Sequence, residues 1–329
     1  MKINCLIIFV LWLNHFVYSQ QAAGISIPQL LSPAHTGANS KEELVLAINQ
    51  HKIGPATTLN GYLAGLEKVL YVGTTDHFSG WVSTAYQDLN DQLKAVKLWT
   101  GGAYHRNLSG RFAEFKHQLG VGVHLQLGQW NQNNRKGWVS NQYDINNLAV
   151  DYNLPTGEAL DLSRNFQTVS WQMDGGLYYQ MVHRRGSLRI APAIYGLNKP
   201  RFQNELTWWQ QDRMYRLYVE GEVVLNQAAK FYLFGWYQQQ TRVADMMAGW
   251  SILFGRKNDE TTLRLTHSVT LGSAPTGQKQ PMQTWFNIGT CFRALTLEAG
   301  YGFSLNKINN YGTPFQLTGK YQLNYLDSY

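Results

Sequence analysis

The chain has 329 residues, a net charge of +7, only 15% charged residues, 13% aromatic residues and 30 glycines. Its basic residues are scattered without a recognition-helix or RNA-binding motif, so we expect anionic lipid or an acidic protein as counter-charge and no nucleic acid. After the N-terminus no apolar run is long enough for a membrane helix. Strands of about 9 to 11 residues with alternate apolar positions could still cross a membrane at low average hydropathy.

The N-terminus has the pattern of a secretory signal peptide. Lys2 precedes an apolar run at 3–17 that is too short to span a bilayer, and Ser19 offers a cleavage point before Gln20. We therefore predict a signal peptide at residues 1–19, an N-terminal segment at 20–42 that is luminal or periplasmic, and a barrel at 43–329. Cys291 alone would remain after processing, as a small packing residue without a disulfide.

Alternation of apolar and polar residues is the main signal in the rest of the chain. In the run 216–225, Leu217, Val219 and Val223 share one face, and Arg216 and Glu220 share the other. The same period recurs at 119–127, 261–271 and 315–325. One face of each run suits lipid and the other suits water.

Together with weaker candidates, this pattern predicts an all-β protein, a transmembrane antiparallel β-barrel of about 14 strands. The predicted strands are 43–50, 58–66, 68–76, 96–106, 119–127, 173–181, 186–197, 216–225, 229–239, 246–255, 261–271, 283–293, 295–304 and 315–325. Stretches without a sustained period predict loops at 80–94, 130–165 and 198–213, and turn residues predict short connections at 256–259 and 306–312.

A soluble β-sandwich shows the same alternation and would place aromatic residues in its core or on a carbohydrate-binding face. Aromatic residues on or near the predicted strands favour the membrane instead, because barrels carry aromatic girdles at both membrane interfaces. The residues in question are Tyr71, Trp99, Tyr104, Tyr178, Tyr179, Trp236, Tyr237, Trp250, Trp285, Tyr301, Tyr321 and Tyr325.

The sequence contains no nucleophile elbow, phosphate loop, metal-binding histidine pair or cysteine cluster. We therefore predict no enzyme activity and no catalytic, cofactor-binding or metal-binding residues. Glu220 and Glu222 share a strand face, as a glycosidase pair would, but carboxylates that line a polar lumen are the simpler interpretation. Histidines without a partner at ligand spacing are interpreted as solvated or lumen-facing: His105, His117, His124, His183 and His267.

Short motifs also follow one another in order along nearly the whole mature chain. They are Ser32-Pro33-Ala34-His35-Thr36-Gly37, the strand 44–51, the segment 69–80 with Asp76 and Gly80, the strand 102–106, Leu119-Gly120-Val121-Gly122, Asn141-Gln142-Tyr143-Asp144, Gly175-Gly176-Leu177-Tyr178-Tyr179 and Gly196-Leu197-Asn198-Lys199-Pro200. In this order they resemble the PorP/SprF family of outer-membrane proteins, associated with type IX secretion and gliding in Bacteroidota. Ser32, His51 and Asn198 stand where that family usually has Asn, Trp and His, which favours a divergent paralogue.

The resemblance implies a protein of the cell outer membrane that works with the type IX apparatus. It would serve either in the secretion complex or as the partner and anchor of a secreted surface adhesin with a C-terminal sorting domain. A passive outer-membrane channel is the alternative, with a lumen that is open or plugged by residues 20–40. A secreted sandwich hydrolase or lectin would need clustered acids or a metal site, which the sequence does not offer.

Overall fold

The computed structural model describes residues 27–52, 58–89, 93–110, 113–132, 143–144, 149–150, 166–203, 208–241, 243–255, 261–272, 283–304 and 315–323. The predicted signal peptide at 1–19 lies outside these residues, as do the predicted connections at 256–259 and 306–312. Among the described residues, no helix has the length and apolar character needed to cross a membrane.

Within the described residues, fourteen strands close into one antiparallel barrel, which confirms the predicted fold class and strand number. They are β1 Glu43–Lys52, β2 Thr58–Val72, β3 Asp76–Leu89, β4 Leu93–Asn107, β5 Lys116–Gln132, β8 Phe166–His183, β9 Gly186–Tyr195, β12 Met214–Asn226, β13 Ala229–Gln240, β14 Val243–Phe254, β15 Thr261–Gly272, β16 Gln283–Phe292, β17 Leu295–Ser304 and β18 Phe315–Gln322. Each pairs with its neighbours in chain order, and β1 pairs with β18 to complete the ring.

Two short hairpins lie apart from the barrel sheet. One pairs β6 Tyr143–Asp144 with β7 Ala149–Val150, and the other pairs β10 Arg201–Gln203 with β11 Trp208–Gln210. Both fall within predicted loops, although the loop at 130–165 begins only after Gln132, where β5 ends. Most of that loop lies outside the described residues.

The predicted facing of the alternating strands is confirmed. Leu217, Val219 and Val223 are exposed on the outer wall of β12, whereas Arg216 and Glu220 are buried on its inner side. The odd-numbered apolar residues of β5, β15 and β18 likewise lie on the outer wall. An apolar outer face matches a hydrocarbon environment, and hydrogen bonding within a closed ladder leaves no strand edge unpaired.

Two strand predictions are wrong, and their effects on the strand count cancel. The residues predicted as separate strands 58–66 and 68–76 form mainly the single strand β2, and the predicted loop at 80–94 is most of β3 and the start of β4. The outer face of β3 carries Gly80, Thr84 and Asp88. These residues remove the contrast between the two faces that periodicity detects.

Some predicted interfacial aromatics are also assigned to the wrong side of the wall. Tyr71, Tyr104, Tyr237, Trp250, Tyr301 and Tyr321 are exposed on the outer wall, as predicted, but Trp99, Tyr178, Trp236 and Trp285 are buried and face inward. Strand side chains alternate, so position along the strand decides the facing whatever the residue type. Tyr325 lies outside the described residues.

The two ends of the barrel differ in the length of their connections. At one end, which we call the turn end, the connections include the short turns 73–75, 184–185, 227–228 and 293–294, and the longest connection there is 108–115. At the other, the loop end, the connections include 133–165, 196–213, 273–282 and 305–314. The chain enters β1 at the turn end, and β18 also finishes there.

Candidate functional site in the barrel lumen

Residues 27–42, the luminal segment, cross the inside of the barrel before the chain enters β1. Ile27 packs against Val45, Ala47 and Trp81, on the wall formed by β1 and β3. Farther along, the segment joins a second buried cluster that extends from β8 to β14: Leu31, Ala34, Tyr178, Ala191, Tyr218, Phe234, Trp236 and Met247. The segment is therefore packed against the inner wall at two places along its path.

The local sequence of the segment accounts for its compact path. Prolines begin two short 3-10 helices, Pro28–Leu30 and Pro33–His35, where the fixed proline φ angle suits the first turn. The Ser32 hydroxyl accepts a hydrogen bond of 3.3 Å from the backbone N–H of Ala34. Gly37 has φ of +73°, and a Cβ there would lie 2.1 Å from Ser79 Oγ. Only glycine fits both this backbone angle and this approach.

Three histidines of the wall bind the segment at Thr36 and Gly37. His105 Nε2 lies 2.8 Å from the Thr36 carbonyl oxygen, and His77 Nε2 lies 2.7 Å from the Gly37 carbonyl oxygen. A carbonyl only accepts, so both rings carry a hydrogen on Nε2. His124 Nε2 is 3.1 Å from Thr36 Oγ1. His77 and His105 are direct cross-strand partners and stack with ring centroids 4.9 Å apart.

The opposite wall holds the segment at Leu30 and Leu31. The Tyr195 hydroxyl donates to the Leu31 carbonyl oxygen at 2.6 Å, and Arg216 Nη1 donates to the Leu30 carbonyl oxygen at 2.8 Å. Arg216 also donates to Gln238 Oε1 from Nη2 at 2.6 Å, and its guanidinium stacks on the Tyr195 ring. These buried polar groups satisfy carbonyls that water cannot reach.

Glycines in β5 and β8 provide the space in which the segment lies. A Cβ on Gly122 would come within 2.5 Å of the Pro33 carbonyl oxygen and 2.7 Å of Ala34 Cα. A Cβ on Gly176 would lie 2.4 Å from Ser32 Oγ. The backbone of the segment therefore rests directly on the backbone of the wall.

His35 is the titratable side chain that the segment brings into this packing. Its ring makes edge-to-face contacts with Tyr178 and Tyr218, each at a centroid distance of 5.3 Å. Neither ring nitrogen has a hydrogen-bond partner within the described structure. Burial, followed by the positive charge of Arg189 and the nearby His105, lowers the pKa of His35 from 6.5 to about 3. The ring is therefore neutral while the segment is docked.

The two glutamates considered as a hydrolytic pair each have a basic partner. Glu220 accepts from Arg189 at 2.7 Å and from the Tyr218 hydroxyl at 2.7 Å, and Glu222 accepts from Lys230 at 2.9 Å. Their geometry fits the simpler interpretation of charges that line the inner wall. Within the described ranges, no group of three or more histidine, cysteine or acidic residues has the geometry of a metal site.

The histidines divide between the two sides of the wall. His105 and His124 face the lumen, as predicted, and both bind the segment. His267 is instead on the outer wall with Leu265, where it bonds Thr284 at 2.8 Å, so it does not face the lumen. His117, bonded to the Tyr179 hydroxyl, shares the outer face of β5, and His183 lies beside Glu114 at the turn end.

The contacts of His77, Tyr195 and Arg216 with the segment were not predicted from the sequence. Correct placement of β3 would have made His77 and His105 cross-strand partners, which is the one signal in the sequence for their proximity. The approach of Tyr195 and Arg216 to the segment depends on how residues 27–42 run through the lumen, and strand periodicity carries no information on that path.

Comparison with solved structures finds chains of low sequence identity that this chain resembles over most of its length. The chain is similar to the CymD monoaromatic hydrocarbon channel (7% identity, 86% of this chain and 88% of that chain, TM-score 0.49). It is also similar to the Pseudomonas putida toluene transporter TodX (10%, 90% and 93%, TM-score 0.48) and to a Pseudomonas aeruginosa FadL homologue (11%, 88% and 92%, TM-score 0.49).

No protein-family model matches the chain. No curated protein matches it either. The likeness to solved structures concerns the fold alone, and the candidate site therefore has to be interpreted from its own residues.

Proposed function

We propose that this chain is an outer-membrane barrel of the PorP/SprF type that supports secretion or surface anchoring of a cognate adhesin by the type IX apparatus. Its partners would be components of that apparatus, the adhesin with its C-terminal sorting domain, and outer-membrane lipid. We assign the turn end to the periplasm and the loop end to the exterior, because outer-membrane barrels have short periplasmic turns and longer outer loops.

The observation that carries the proposal is the meeting of three motifs that are far apart in the sequence. The segment motif 32–37 lies on Gly122 of the motif 119–122 and on Gly176 and Tyr178 of the motif 175–179. A second pair of motifs is joined by the hydrogen bond of 2.8 Å from the Tyr104 hydroxyl to Asp76. Residues that match the family pattern therefore contact one another, which supports a shared architecture over a chance likeness.

The segment bound inside the barrel also supports a docking role over free diffusion of solutes. A rigid wall with an internally bound segment presents the loop end as the surface most free to be shaped for a partner. The proposal assigns no turnover, since Glu220 and Glu222 are engaged in ion pairs with Arg189 and Lys230. A passive channel requires instead that the segment leave a continuous water path.

Deletion of the gene tests the proposal directly. We expect normal growth and nutrient uptake, together with loss from the cell surface of one or a few secreted proteins, most simply one encoded beside it. Complementation with the wild-type gene should restore display. Complementation with Gly221→Ala should do the same, because a Cβ at this position meets no atom within 4 Å.

Liposome swelling with the purified barrel is the matching measurement for the channel alternative. Robust sugar or ion flux through the reconstituted protein, combined with normal surface display in the deletion strain, would reject the secretion role in favour of the channel. Slow or undetectable flux together with lost display would support the proposal.

A further inference from the structure

A separate feature of the inner wall lies nearer the loop end. Lys97 on β4 faces inward and is only 8% exposed. Its Nζ lies 4.8 Å from the ring centroid of Trp130 on β5 and 5.9 Å from that of Trp99. Both indoles are themselves buried, so the ammonium group is enclosed between two aromatic side chains.

The charge of Lys97 has no counter-charge within the described part of the chain. No carboxylate pairs with Lys97 among the described residues, and no hydrogen-bond acceptor contacts it there. Elsewhere on the inner wall, Arg189 and Lys230 each have a glutamate partner. Removing an ammonium ion from water without a counter-charge is costly, and contact with aromatic rings compensates for only part of that cost.

We propose that Lys97, Trp99 and Trp130 form a binding site for a monocarboxylate with an apolar body. A single ammonium matches a single negative charge, whereas a phosphate dianion favours arginine forks or several donors, which this cluster does not contain. The indoles offer apolar surroundings to the body of the ligand. The site is independent of the proposed secretion role, because its evidence is confined to this part of the wall.

Ligand-observed fluorine NMR on the full-length barrel in lipid nanodiscs tests the site. The probes are 4-fluorobenzoate and the isosteric neutral 4-fluorobenzamide. We expect the acid to bind at least about tenfold more tightly than the amide, since a hydrogen bond to a charged group is worth that factor or more. Lys97→Met should abolish the preference, and Lys97→Arg should retain most of it.

Lys320→Met is the matched control. Lys320 on β18 pairs with the buried Val45 and is a lumen-facing lysine of another wall, so its loss changes the luminal charge equally without touching the indoles. The acid preference should survive this change. Equal loss in both variants would overturn the site in favour of a general charge effect, and so would equal binding of acid and amide to the wild type. The comparison of acid and amide binding to the wild-type protein tests the proposal even if the Lys97→Met variant does not fold.

A second pair of probes identifies the source of the carboxylate. A tripeptide ending in 4-fluorophenylalanine is compared as the free acid and as the C-terminal amide. A preference for the free acid would support polypeptide C-termini as ligands of the site, and a preference confined to benzoate would support small organic acids. Failure of every acid to exceed its neutral counterpart would overturn the proposal without affecting the secretion role.

Discussion

Gly122→Ala is the sharpest test of how the luminal segment is held. The added Cβ would approach the Pro33 carbonyl oxygen at 2.5 Å, the Pro33 carbonyl carbon at 2.6 Å and Ala34 Cα at 2.7 Å. All of these are backbone atoms, so no flexible side chain can move aside to make room. The segment itself must shift away from the β5 wall.

The cost of that shift can be estimated from the contacts on either side. Overpacking of this kind costs about 1–3 kcal/mol. The hydrogen bonds from His105, His77, Tyr195 and Arg216 to segment carbonyls each contribute about 0.5–1.5 kcal/mol, and buried apolar contacts add to them. We therefore expect a weakened but still occupied docking site, with the undocked population raised about 5- to 150-fold.

Hydrogen exchange of the amides at residues 27–40, measured on the barrel in nanodiscs, reports that population. Gly122→Ala should accelerate their exchange by the same 5- to 150-fold when the segment re-docks faster than its released amides exchange, because the rate then follows the undocked population. Gly221→Ala on β12 is the matched control, because its Cβ meets nothing within 4 Å and should leave the segment unaffected. Equal exchange in the two variants would refute the view that close backbone contact at Gly122 holds the segment.

Further predictions concern the wall and its pH dependence. Leu265→Arg should lower the free energy of unfolding by about 2–4 kcal/mol, because it places a charge on the lipid face, whereas Arg264→Leu should have a smaller effect on stability. Urea titration of the two variants in vesicles compares them. A larger effect of Arg264→Leu than of Leu265→Arg would contradict the strand register. The folded barrel should migrate differently in SDS gels before and after boiling, and recovery as a soluble supernatant protein would contradict the membrane fold. Docked His35 has a pKa of about 3 against 6.5 when released, so the docked state binds fewer protons and weakens as pH falls below 6.5. At pH 5 the docked state is destabilised by about 2 kcal/mol, which hydrogen exchange of residues 27–40 should show as faster exchange than at pH 7.5. His35→Phe should remove this contribution to the pH dependence. An unchanged pH dependence in this variant would assign the effect to the wall histidines.

Much of the barrel could be predicted because its wall obeys one simple rule. A lipid-facing strand needs only an apolar residue at alternate positions, and β12, β15 and β18 follow that rule closely enough to fix both strand and facing. β3 departs from it, since Gly80, Thr84 and Asp88 lie on its outer face, and periodicity alone therefore failed there. The aromatic residues failed for a related reason, because Trp99 and Tyr178 serve the inner packing rather than the interface.

The lumen could not be predicted in the same way, because its contacts join positions that periodicity treats as independent. His77 and His124 bind adjacent residues of the segment although they belong to separate strands, β3 and β5. Their approach depends on the register of two hairpins and on the route of residues 27–42. Neither is encoded in the alternation of a single strand.

Specific residue identities matter most where the luminal segment meets the wall. Many apolar residues would serve on the outer face of β5, but at Gly122 the neighbouring Pro33 backbone leaves no room for a side chain, and at Gly37 the backbone angle and Ser79 both exclude one. Short sequence motifs are therefore expected at the contact between the segment and the wall, where residue identity is constrained, and not on the outer face. On that reasoning the resemblance carried by residues 32–37, 119–122 and 175–179 concerns the docked segment, so variants at its glycines test the segment and the proposed family likeness together.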